Sequence, residues 1–151
     1  REDDYLLRTM AAMSLGSLGT GDGIPALVQA LQEDGEAQGP AVEEAFSRFR
    51  EPATQAAAAE ALSQAIRHPG AGLALGHALA ALGKLRRPEA VPLLIEYLAH
   101  HDYLVRFRLA QVLPLYPPAL VLPALEAALA REDVLQVKEE LREAVAKLRT
   151  F

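Results

Sequence analysis

Asp4-Tyr5-Leu6-Leu7-Arg8 returns as Asp102-Tyr103-Leu104-Val105-Arg106, with four of five residues identical at an offset of 98. That offset has an inner structure. The pairs Leu15/Leu18, Phe46/Phe49, Leu82/Leu85 and Leu113/Tyr116 follow one another at 31, 36 and 31 residues. Leu31, Leu62, Leu98 and Leu129 keep the same spacing. Ile24-Pro25-Ala26-Leu27, Val91-Pro92-Leu93-Leu94 and Leu122-Pro123-Ala124-Leu125 form a third landmark. Three landmarks sharing one period mark a repeat architecture.

Each unit reads as two helices. Leu7, Ala11, Leu15 and Leu18 fall at helical spacing, as do Val105, Leu109, Leu113 and Tyr116. A turn follows, Gly19-Thr20-Gly21-Asp22-Gly23 in the first unit and Pro117-Pro118 in the fourth. The second helix opens with Pro in three units, a position where the missing N–H is harmless. Its stripe is Ile24, Leu27, Val28 and Leu31, repeated as Val91, Leu94, Ile95 and Leu98. Neither helix can bury its stripe alone, so neighbouring units must supply the core. The expectation is an all-α chain of nine helices, four pairs and a C-terminal helix. We place one domain over 1–151, in units of about 4–34, 35–67, 71–101 and 102–132 with a half-unit at 133–151.

Composition agrees. Ala (29) and Leu (26) exceed a third of the 151 residues, and both favour helix. The chain lacks Cys, which excludes disulfides and thiolate metal sites. No apolar run approaches the ~18 residues of a membrane span, and no secretory leader is present, so a cytoplasmic protein is expected. Arg outnumbers Lys 12 to 3 and Asn is absent, a bias that suggests a bacterial, thermophilic source. A net charge of −5 disfavours binding to a polyanion. The chain opens Arg1-Glu2-Asp3-Asp4 without Met, which suggests a trimmed chain or a segment of a longer protein.

The units resemble HEAT-like repeats, including those of phycobilin-lyase-type proteins. The resemblance rests on Leu7-Arg8, Ala11-Ala12, Leu15-Gly16-Ser17-Leu18-Gly19 and Ile24-Pro25-Ala26-Leu27, and on Leu82-Gly83-Lys84-Leu85 with Val91-Pro92-Leu93-Leu94. It covers nearly the whole chain and implies an α-α superhelix, a HEAT/armadillo-like solenoid. The second unit departs from the pattern. Its first helix is expected to start near Pro40, after a loop over 33–39. Five extra residues around His68-Pro69-Gly70-Ala71-Gly72 mark a candidate hinge or tolerated insertion.

Few residues suggest chemistry. Arg8 and Arg106 lie beside the core stripe, within reach of a carboxylate on a neighbouring element, and Asp4 and Asp102 read as N-caps. His100 and His101 are adjacent on the chain and so diverge on a helix, which makes joint metal ligation awkward. His100 also suits a helix C-terminus. His77 reads as a helix residue among apolar neighbours, and Glu43-Glu44 and Glu139-Glu140 as solvated faces. No nucleophile elbow or phosphate loop is present. No catalytic, cofactor or metal site is expected.

A solenoid binds through the concave face of its second helices. Three lines cross that face: Gln29, Glu60, Glu96 and Ala127; Glu33, Gln64, His100 and Arg131; and, in the middle, Ala26, Ala57, Leu93 and Ala124. The expected partner-binding residues are Gln29, Glu60, Gln64, Leu93, Glu96, Tyr97, His100 and Arg131, with Leu93 and Tyr97 as apolar anchors. A non-catalytic interaction scaffold is the leading expectation, its partner a protein offering a basic or amphipathic segment. The resemblance implies an alternative, an assembly or regulatory subunit akin to bilin-lyase HEAT-like proteins. A DNA-binding HEAT-type module ranks last, because Glu60 and Glu96 put acid where a basic face is needed. Neither nucleic acid nor membrane is expected as a partner.

Overall fold

The computed structural model describes residues 7, 10, 11, 14, 21–69 and 72–150, with backbone only for 34–36. It is all-α, and neighbouring helices pack on one another without a strand among the described residues. No helix among them is long and apolar enough to cross a membrane. The chain forms two compact units, Arg1–Arg87 and Pro88–Phe151.

In the first unit a 3-10 turn, Gly21–Gly23, leads into α1 (Ile24–Ser47), followed by α2 (Pro52–Arg67) and α3 (Leu75–Lys84). The loop expected over 33–39 does not exist. The last helix of one repeat and the first of the next run together as α1, so two of the nine expected helices are one. Pro40 lies inside this helix, where it removes one ladder bond, and two glycines on the same stretch add about 1 kcal/mol each against helix. Packing outweighs these penalties. α1 lies along α3, and Leu27, Leu31, Val42, Phe46, Leu62, Ile66, Leu79 and Leu82 fill the core between the three helices. Phe46 meets Phe49 edge-on, with centroids 5.8 Å apart.

The stretch expected as a hinge is tied down at its far end. Ala74 N–H donates to the Leu31 carbonyl at 2.9 Å, and a Cβ on Gly72 would overlap the Gln32 carbonyl oxygen. A backbone group thus enters the side of α1, an approach that only glycine permits at position 72. Leu7 and Ala11, expected in the core stripe, are helical but exposed. A repeat helix is covered by its neighbours, and no described residue covers these two. Asp4, Arg8, Leu15 and Leu18 lie outside the described residues.

In the second unit a turn at Pro88–Ala90 precedes α4 (Val91–Glu96), which tightens to 3-10 over Tyr97–Ala99. α5 (Tyr103–Val112), α6 (Pro118–Arg131) and α7 (Leu135–Arg149) follow, with α5 and α6 both packed on α7. Leu94, Leu109, Leu113, Val121, Leu125 and Val137 are buried here. Tyr116 is buried too, and burial, with the charge of Glu89, pushes its phenol up to about 12. The repeat register holds at Phe46, Leu82 and Leu113, all buried, and loosens at Leu129, which is half-buried. In the fourth unit Pro118 opens the second helix, and Pro123 lies inside it.

Candidate functional site

Two short joints in the second unit face a common depression. One, His100 to Asp102, links the 97–99 turn to α5; the other, Glu132 to Val134, links α6 to α7. The depression holds about 280 Å³ and is lined by Leu98, Ala99, His100, His101, Arg106, Arg131, Glu132 and Asp133.

Arg106 organises it. Projecting from the first turn of α5, its Nε and Nη2 donate to the two oxygens of Glu132 at 2.9 and 2.8 Å. Its Nη1 donates to the carbonyls of His100 and His101 at 2.8 and 3.1 Å. Glu132 also accepts from Val134 N–H at 3.1 Å. The planar fork therefore closes both joints at once, which a lysine could not do. Glu132 is only 8% exposed, and the hydrogen bonds from Arg106 hold its carboxyl below the usual range against the opposing effect of burial. The same bonds hold the guanidinium above its ordinary value. This is the carboxylate partner expected for Arg106. The cap expected of Asp102 is also present: its Oδ1 accepts from Leu104 N–H at 2.9 Å.

A ring ladder runs along the rim. His100 stacks on His101 with centroids 4.2 Å apart, and Tyr97 lies parallel to His100 at 5.7 Å. His100 Nδ1 accepts from Asp102 N–H at 3.1 Å, so the neutral ring carries its proton on Nε2. Partial burial and then His101 hold this imidazole below its ordinary range; Asp102 opposes them and Arg106 adds to them.

The structure brings three of the expected binding residues together. His100 and Arg131 line the depression, and Tyr97 stacks at its edge. Glu96 is exposed on α4. Leu93, expected as an exposed anchor, is 5% exposed and belongs to the core. The outward line of α4 passes through Pro92, Glu96 and Ala99, at the i, i+4, i+7 spacing of one helix face, which leaves Leu93 on the inward side with Leu94. In the first unit Gln29, Glu60 and Gln64 are exposed and bonded along their own helices. Gln29 donates to Glu33 at 2.6 Å and Gln64 to Glu60 at 2.9 Å, the same pair of positions in two repeats with the roles exchanged.

A second polar centre escaped the sequence. Glu43, expected on a solvated face, is 2% exposed. It accepts from Lys84 Nζ at 2.9 Å and contacts Nδ1 of His77, both on α3. Gly39, one turn before Glu43, leaves the space that the His77 ring fills. Glu44, its neighbour, is exposed as expected. Partners 34 and 41 residues away, outside the repeat pattern, gave no signal of this pairing. No group of three or more His, Asp or Glu that could hold a metal occurs among the described residues.

Against known families, the model for HEAT repeats matches residues 72–146. The model for the PBS lyase HEAT-like repeat matches residues 7–33. No curated protein and no solved structure gives a significant match.

Proposed function

The chain belongs to the HEAT-like repeat family, a kind of repeat protein often used for protein interaction, and on that premise we propose that it is a non-catalytic scaffold that binds a protein through the exposed face of its second helices. One observation carries this reading. Gln29 and Glu60 in the first unit and Glu96 in the second, at equivalent positions of three repeats, all stay exposed, while Arg106 and Glu132 in the depression are bound to each other. Exposed polar positions that repeat with the architecture suit contact with a partner segment better than chemistry on a single reacting atom. The acidic members favour a basic or amphipathic segment, and of the two expected apolar anchors Tyr97 remains once Leu93 is assigned to the core.

The test is a pull-down from the source organism with the full chain, followed by affinity measurements on the partner recovered. Tyr97→Ala should weaken binding by at least about 2 kcal/mol, the hot-spot scale. Glu60→Lys and Glu96→Lys should act mainly on association rate and salt dependence. Affinity untouched by all three would move the site away from the second helices. Turnover by the isolated chain would overturn the non-catalytic reading. Leu93→Asp, which the sequence suggests as the binding test, would instead probe folding.

The match to the PBS lyase HEAT-like repeat over residues 7–33 favours a second reading, an assembly or regulatory subunit for a tetrapyrrole-bearing protein. Visible absorbance in the recovered partner would select it.

A further inference from the structure

Three groups meet where the chain enters α5: the Nδ1 of His100, the N–H of Asp102, and the ring of His101 stacked 4.2 Å from that of His100. The bond from Asp102 N–H requires an unprotonated Nδ1. An imidazolium carries hydrogen on both nitrogens and cannot accept it, so N–H would face N–H. The same proton would place a positive ring against His101 and next to Arg106, whose Nη1 already donates to the carbonyls of His100 and His101. The surrounding charges only partly offset this. Asp102 attracts the added charge but is committed to capping α5, and Glu132 is bound to Arg106. Across the depression Arg131 repels it and Asp133 attracts it, both at the exposed rim. Tyr97 contributes a ring face that accommodates either form.

We infer that His100 is a proton-sensitive latch, closed when neutral, that sets how firmly the first turn of α5 is held to the preceding joint. The inference is independent of any binding partner. The direction follows from linkage. Partial burial holds the imidazole below its ordinary value when the latch is closed, so the open form takes up the proton first. The latch is therefore fully closed above about pH 6.5 and gives way as the pH falls below that value.

The test is a nuclear magnetic resonance titration of the full chain. Ring nitrogen shifts should show neutral His100 as the Nε2–H form, with a midpoint below about 6.5. The Val105 and Arg106 amides, which bond the Asp102 carbonyl, report the latch. Their protection factors should fall by up to about tenfold per pH unit between 6.5 and the His100 midpoint. His101→Gln should raise that midpoint, because it removes a repelling ring. In His100→Asn, whose Oδ1 can accept the same N–H without titrating, both protection factors should stay level. The Nδ1–H form, a midpoint at or above 6.5, or protection that still falls in His100→Asn would each overturn the latch.

Discussion

In the first unit Glu43 lies mid-helix on α1, reached by Lys84 and His77 from α3; in the second, Glu132 lies in a joint between helices, both its oxygens held by the Nε–Nη2 edge of Arg106. They are the two charged residues buried among the described ones, and the contrast shows two ways to make a carboxylate tolerable inside a helical stack. Arg106 supplies a planar donor set that also ties down two backbone carbonyls, so its joint is fixed in geometry as well as in charge. Lys84 supplies a point charge on a flexible stem and is 36% exposed, so Glu43 depends more on the helix-to-helix fit around it.

The largest effect should come from Arg106→Met. It strands a buried carboxylate and frees two carbonyls, at a cost of about 3–5 kcal/mol. Chemical denaturation of variant and parent measures it. A loss under about 1 kcal/mol would mean that the fork is decoration and the comparison false. The pair also has a pH signature. The Glu132 carboxyl is held below its usual range, so its contribution is complete above the unfolded carboxylate value, about 4.3, and is lost as pH falls through the lowered folded one. The acid limb of stability should flatten in Arg106→Met.

Lys84→Met comes next, at about 2 kcal/mol. It too strands a buried carboxylate, but His77 remains in contact and solvent reaches the site of the ammonium. A cost equal to that of Arg106→Met would erase the distinction between fork and point charge. Gly39→Ala follows, at roughly 1–2 kcal/mol, because the new methyl must displace the His77 ring. Combining it with His77→Ala, which vacates that space, should recover part of the loss. Simple additivity of the two would show that the ring and the glycine are not coupled.

The two centres also differ in how far the sequence reveals them. Asp102 and Arg106 recur as a motif with Asp4 and Arg8, so a structural role could be read from repetition alone. Glu43, Gly39, His77 and Lys84 occur in one place each, and only the fold brings them together. The merged helix α1 was hidden for a related reason. Gly35, Gly39 and Pro40 are local breakers, and the packing that overrides them comes from α3, more than 30 residues away. At the proposed binding positions the repeat pattern identified Gln29, Glu60 and Glu96, all exposed. It failed at Leu93, which lies one residue off the exposed line of Pro92, Glu96 and Ala99 and so turns into the core.

The smallest expected effect separates folding from recognition. Gln29 with Glu33, and Glu60 with Gln64, bond along their own exposed helices, in pairs four residues apart. Such pairs contribute about 0.2–0.5 kcal/mol. Glu60→Lys replaces one partner at an exposed position without opening a cavity, so stability should change by no more than about 0.5 kcal/mol. A centre like that of Glu43 would respond far more strongly, because its carboxylate has no water to fall back on. If thermal unfolding of Glu60→Lys matches the parent while partner association slows, the residue is kept for recognition. A loss above about 1 kcal/mol would place Glu60 with the structural carboxylates, and the second-helix face of the first unit would then lose its acidic recognition element.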